Sequence, residues 1–215
     1  MDFYLRYPMM KPFVGRHFHE HGKPSLLLVG ESHYLHISSS VHLDAASWYA
    51  GSAADLDTKE LQWISTAENF RTACREKFKN KAHSIWKNSL RVVDAHGPRH
   101  CQLERVAEDV AFYNFFLRPA VHGRSLHVTL QDRGFANEAF AYWCAELKPT
   151  HVIFLSALAH AALRVSGSSM LPSIGAVPHP ASSWWNRSSA KHGGKSGREL
   201  LAQLVSSMNW PSRIS

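Results

Sequence analysis

Leu26-Leu27-Leu28-Val29-Gly30-Glu31-Ser32-His33-Tyr34 is the stretch from which the fold is read. Four apolar residues run without alternation into a glycine and then a row of polar side chains. An uninterrupted apolar run of this length fits a strand of a parallel sheet covered on both faces. Three similar runs follow: Val110-Ala111-Phe112-Tyr113, Val152-Ile153-Phe154-Leu155 and Ile174-Gly175-Ala176-Val177. Between and after them, helical spacing predicts helices at about 60–94, 134–147, 157–165 and 197–208. Strands alternating with helices predict a doubly wound α/β fold. The expected architecture is a three-layer α/β/α sandwich around a central, mostly parallel four-stranded sheet. No internal repeat or long linker divides the chain, so residues 1–215 are read as one domain.

Each expected strand delivers a polar residue at its C-terminal end. The first runs into Glu31, the second ends on Asn114, the third on Ser156, and the fourth on His179-Pro180. Open parallel sheets bind ligands outside the carboxyl ends of their strands. Glu31, Asn114 and His179 are therefore expected to meet in one crevice. Any one of them alone reads as well as a helix cap or a solvated turn.

Composition narrows the classes. Of 215 residues, 45% are hydrophobic and 19% charged, enough for a substantial core. No apolar run approaches the roughly 20 residues of a membrane helix, and Met1-Asp2-Phe3-Tyr4-Leu5-Arg6 lacks the pattern of a secretory signal. Cys74, Cys101 and Cys144 are odd in number and scattered, which argues against a disulfide framework or a cysteine-rich metal site. A cytoplasmic protein with no membrane partner is expected. The formal charge of +7 favours polyanionic partners.

These residues resemble the uracil-DNA glycosylase superfamily. The resemblance rests on Val29-Gly30-Glu31-Ser32-His33-Tyr34, a strand ending in Asn114, the run from Leu147 to Leu155, and Pro178-His179-Pro180, in that order over about 155 residues. It implies a base-flipping enzyme that cuts the N-glycosidic bond of a base in DNA. The first loop would place the attacking water, Asn114 would read the base edge, and His179 would stabilise the departing base. Ser32, His33 and Tyr34 would line the base pocket. The chain departs from the pattern in three places. Ser32 stands where the best-known branch has its catalytic Asp, and Glu31 matches a Glu of other branches. His33 replaces the usual Pro. The late motif continues Ala181-Ser182-Ser183.

The chemistry suits those residues. Cleavage builds positive charge on the sugar and negative charge on the base, so a carboxylate such as Glu31 can orient water and answer the cation. A donor at His179 can stabilise the base anion. Phe112, Tyr113 or Phe115 is a candidate to stack on the extruded base, with core packing as the alternative. Beyond His179-Pro180, Trp184 and Trp185 are candidates to fill the gap in the duplex, and Arg187, Lys191 and Lys195 to hold phosphates. Gly193-Gly194-Lys195-Ser196 lacks the first glycine and the strand of a phosphate loop. His17, His19 and His21 alternate as on one face of a strand, but no carboxylate or Cys stands at a recognisable ligand spacing, so no metal is expected.

The expectation is a monomeric, cofactor-free, monofunctional DNA glycosylase. Its substrate is either uracil or another deaminated base, in repair, or a C5-modified pyrimidine of viral DNA, in host defence. The rival readings are a catalytically inactive DNA-binding protein of this fold and a metal-dependent hydrolase.

Overall fold

A computed structural model describes residues 1–164 and 172–211, and within them the four apolar runs form one parallel group of strands. The elements follow one another as α1 (Phe3–Arg6), β1 (Phe13–Val14), β2 (Leu26–Gly30), β3 (Tyr34–Leu35), α2 (Ala45–Ala50), α3 (Thr58–Trp63), α4 (Thr66–Arg75) and α5 (Ser84–His96). There follow α6 (Leu103–Ala107), β4 (Val110–Asn114), β5 (Ala120–Val121), α7 (Leu130–Leu147), β6 (His151–Phe154), α8 (Ala157–Ala162), β7 (Ser173–Ala176) and α9 (Gly197–Ser206).

The central sheet has five strands in the order β1-β4-β2-β6-β7, not the four expected. β4, β2, β6 and β7 are mutually parallel, and β1 adds an antiparallel edge through Phe13 opposite Phe112. At two residues, β1 is too short to leave a periodic signal in the sequence. A second, two-stranded sheet pairs β3 with β5.

Strand parity sorts the core into two layers, because successive side chains point to opposite faces. Leu26, Leu28, Val110 and Phe112 share one face with Phe70 and Ala73 of α4, Leu90 and Val93 of α5, and Leu201 and Val205 of α9. Leu27, Val29, Ala111 and Tyr113 meet Ala136 and Phe140 of α7 and Ala159 of α8 on the other. The α/β/α layering follows.

The helix expected at 60–94 is instead three helices, α3, α4 and α5. After α4 the chain turns through Lys77 and Phe78, both at φ 53°, in the left-handed region that an α-helix cannot continue through. That turn inserts Phe78 fully into the core beside Phe70. The expected 157–165 helix ends at Ala162, and residue 165 itself lies outside the described residues. No helix among the described residues is long and apolar enough to cross a membrane.

Candidate active site

The sheet order places the crevice. β2 lies between β4, the next long strand in sequence, and β6, the one after, so the winding reverses at β2. At the carboxyl ends of these strands, Glu31, Ser32, His33, Tyr34, Phe112, Asn114 and His179 line one cavity of about 750 Å³.

Register explains the pairing of Gly30 with Asn114. The two residues are direct neighbours across β2 and β4, and Phe112 lies on the same face two residues earlier. A Cβ on residue 30 would sit 2.2 Å from Asn114 Oδ1 and 2.9 Å from Phe112 Cζ. Glycine here makes room for the amide and the aromatic ring.

The 31–34 loop is fastened on both sides by backbone. Phe116 N–H donates to Glu31 O (2.8 Å) and Ala120 N–H to His33 O (2.8 Å). The carboxylate has its own support. Ser156 Oγ, buried at the end of β6, donates to Glu31 Oε2 at 2.6 Å. The same hydroxyl accepts from Ala159 N–H at 3.3 Å as the N-cap of α8. Ser156 is thus a positioning residue, and one carboxylate oxygen of Glu31 is left without a protein partner among the described residues.

His179 is flanked by two prolines. Its Nδ1 accepts from Ala181 N–H at 3.1 Å, which assigns the proton of the neutral ring to Nε2. Burial lowers its pKa below the ordinary value, and the nearby Glu31 carboxylate opposes the shift only in part. The imidazole is therefore a neutral donor at pH 7. Asn88 Nδ2 of α5 donates to Pro180 O at 2.8 Å and ties this loop to the helix layer.

His33 lies inside the wall, 93% buried, with Nε2 2.8 Å from Thr66 Oγ1, which in turn donates to Met10 O. Burial lowers its pKa to about 4, against a weaker opposing contact with the Trp63 carbonyl. Below pH 6.5 the unfolded chain takes up a proton that the folded imidazole refuses until about pH 4. The unfolded state then binds more protons, so stability falls as pH drops through that window, by on the order of 3 kcal/mol in all. Urea unfolding at pH 7 and pH 5 should show the loss, and His33→Gln should shrink the difference between the two.

Two expectations are corrected. Phe115 is fully buried and packs on Phe116, Phe140 and Phe154, on the far side of the sheet from Asn114, and Tyr113 is buried in the same layer. Neither can stack on a ligand of this cavity. Phe112 lines the cavity, and shared strand parity with Asn114 was the signal that sets it apart. Trp185 is 97% buried in the core against Gly197, so it is no wedge. A short 3₁₀ turn over Ser183–Trp185 directs it inward and leaves Trp184 half exposed, three residues beyond the cavity-lining Ala181.

Arg187 and Lys191 are exposed, with no carboxylate within 4 Å among the described residues, whereas Lys195 is held by Gln203 Oε1 at 3.0 Å. The alternating histidines do not share a strand face, since residues 16–19 form turns. His17 instead approaches Glu20 and Asp109, with ligand atoms within 4.8 Å of one another. The Lys23 ammonium pairs with both carboxylates, and the His100 ring bonds the second oxygen of Asp109.

An entire wall of the cavity carries no motif in the sequence. Trp63, Asn69, Thr72, Lys81, His83 and Trp86, from the segments around α3, α4 and α5, line the same cavity. His122 closes it beside Tyr34, their rings 6.3 Å apart. No protein-family model matches this chain, and no curated protein matches it either.

Proposed function

We propose that the protein is a monofunctional DNA glycosylase of the uracil-DNA glycosylase type, acting on a flipped, modified base. One observation carries this reading: Glu31, Asn114 and His179, 148 positions apart at the extremes, share one cavity at the carboxyl ends of three strands. The resemblance of their motifs to that superfamily supports it.

In this mechanism the base leaves its stack and lies against Phe112, with the Asn114 amide offering one donor and one acceptor to its Watson–Crick edge. The C1′–N bond breaks and its electron pair passes to the base. His179 Nε2–H donates to the resulting anion, and Glu31 faces the positive sugar. Water held by the free Glu31 oxygen bonds to C1′ and gives its proton to the carboxylate. The proton taken by Glu31 then passes through solvent to the base anion, so the products are the free base and an abasic site, and no cofactor takes part. The cavity of about 750 Å³ falls in the range of sites for drug-sized ligands, well beyond one pyrimidine ring, which favours a base bearing a C5 group over plain uracil.

Trp184, followed in sequence by the exposed Arg187 and Lys191, is the proposed wedge and phosphate grip. Trp184→Ala should leave the fold intact and reduce excision from duplex DNA much more than from single strands, where no stack has to be opened. Trp185→Ala should cost about 3–5 kcal/mol of stability by emptying a core site. Thermal melting and excision on both substrates read the contrast. The function itself is tested with a panel of base-modified oligonucleotides, followed by alkali. Cleavage at the modified position supports it, and intact strands throughout the panel reject it.

A further inference from the structure

The wall formed by residues 63–86 has no role in breaking the bond, yet it supplies a large part of the cavity. It continues directly from the base platform. Trp86 stands edge-on to Phe112, with ring centroids 5.6 Å apart at 88°, and His83 lies 5.9 Å beyond Trp86. Trp63 is half exposed at the mouth, and its carbonyl accepts from Asn69 Nδ2 at 3.0 Å, leaving the amide oxygen of Asn69 as an acceptor.

We propose that this wall binds a neutral, polyhydroxylated, sugar-like substituent carried by the base, and so sets which base is removed. The proposal rests on the base-excision reading of the same cavity. Three features point to that chemistry. Two indoles, Trp63 and Trp86, provide flat apolar faces of the kind against which the C–H faces of a sugar ring pack. The same lining carries polar groups able to meet hydroxyls, the Asn69 amide and the His83 ring. His83 Nδ1 and Trp86 Nε1, both buried, have no hydrogen-bond partner among the described residues, although buried polar groups normally do.

Charge weighs against the alternatives. Among the cavity's lining residues Glu31 is the one carboxylate, and it belongs to the reacting end, so the wall has no carboxylate to pair with a cationic substituent. Lys81 is the one Lys or Arg of the lining and has no second Lys or Arg to form an anion clamp. A plain methyl or hydroxymethyl group would leave most of the space to water. The bond broken is still C1′–N, and the substituent leaves intact on the base.

The test uses three duplexes of one sequence carrying cytosine, 5-hydroxymethylcytosine or its glucosylated form at a single position. Affinity is measured with Glu31→Gln, and base release with the wild-type protein. Glu31→Gln should bind the glucosylated duplex at least tenfold more tightly than the other two. Adding Trp63→Ala should remove that preference without lowering the melting temperature, since Trp63 is half exposed, and Trp86→Phe should weaken it. Equal binding of all three duplexes would overturn the proposal, as would a preference that survives both tryptophan changes. Preferential binding without any release by the wild type would keep the sugar subsite and reject base excision. Release of all three bases at equal rates would keep base excision and reject the subsite.

Discussion

Replacing Glu31 by glutamine is expected to slow base release by at least about a hundredfold while DNA affinity and folding stay nearly unchanged. Glutamine keeps the shape and can still accept from Ser156 Oγ, so the hydrogen bond that fixes residue 31 survives. What disappears is the negative charge that faces the developing sugar cation and the base that takes the proton of water. Single-turnover release with enzyme in excess isolates this step from product dissociation. A rate within a few-fold of the wild type would remove Glu31 from the chemistry and leave it as a structural partner of Ser156.

The second large effect belongs to His179. Removing one preorganised donor to a developing anion typically lowers the chemical rate by roughly a hundredfold to a thousandfold. His179→Ala should show that loss mainly in kcat, because the base carries little negative charge before the bond stretches. The protonation state gives a further readout. Burial keeps the imidazole neutral at pH 7, with Nδ1 occupied by Ala181 N–H. Donation from Nε2 then needs no prior protonation. The ratio of wild-type to His179→Ala rates should stay constant as pH rises from 7 to 8. A histidine acting as a cation would lose its advantage over that interval, and a fall in the ratio would show it.

Much of the framework was legible because burial on both faces of a parallel sheet leaves continuous apolar runs. Leu26–Val29 and Val110–Tyr113 are strands for that reason, and the polar residues after them mark the carboxyl edge. The short β1, β3 and β5 carry no such signal, since two residues cannot display a period. Phe112 and Phe115 looked equivalent until parity was applied: residues 112 and 114 share a face, and 115 follows the strand into the opposite core. Trp184 and Trp185 are adjacent and chemically identical, so only the local turn decides which is buried.

The wall of residues 63–86 was hidden for a different reason. Its amphipathic spacing reads as one long helix, whereas the left-handed turn at Lys77-Phe78 folds α5 back alongside the cavity. Nothing local identifies Trp63 and Trp86 as neighbours of Glu31. Their convergence comes from tertiary packing, with Trp86 set against Phe70 and Phe112. Motif order therefore points to the convergence of Glu31, Asn114 and His179 but not to the wall beside them.

The most direct measurement is mass spectrometric counting of the products released from a duplex whose modified base is present at one position. Hydrolytic base excision predicts free base and abasic sites in equal amounts, intact phosphodiester bonds before alkali, and no protein–DNA adduct trapped by borohydride. The last point matters because Lys81 places an amine in the cavity wall. A borohydride-trapped adduct, strand breaks without free base, or DNA recovered unchanged from every modified duplex would contradict hydrolytic base excision by this site.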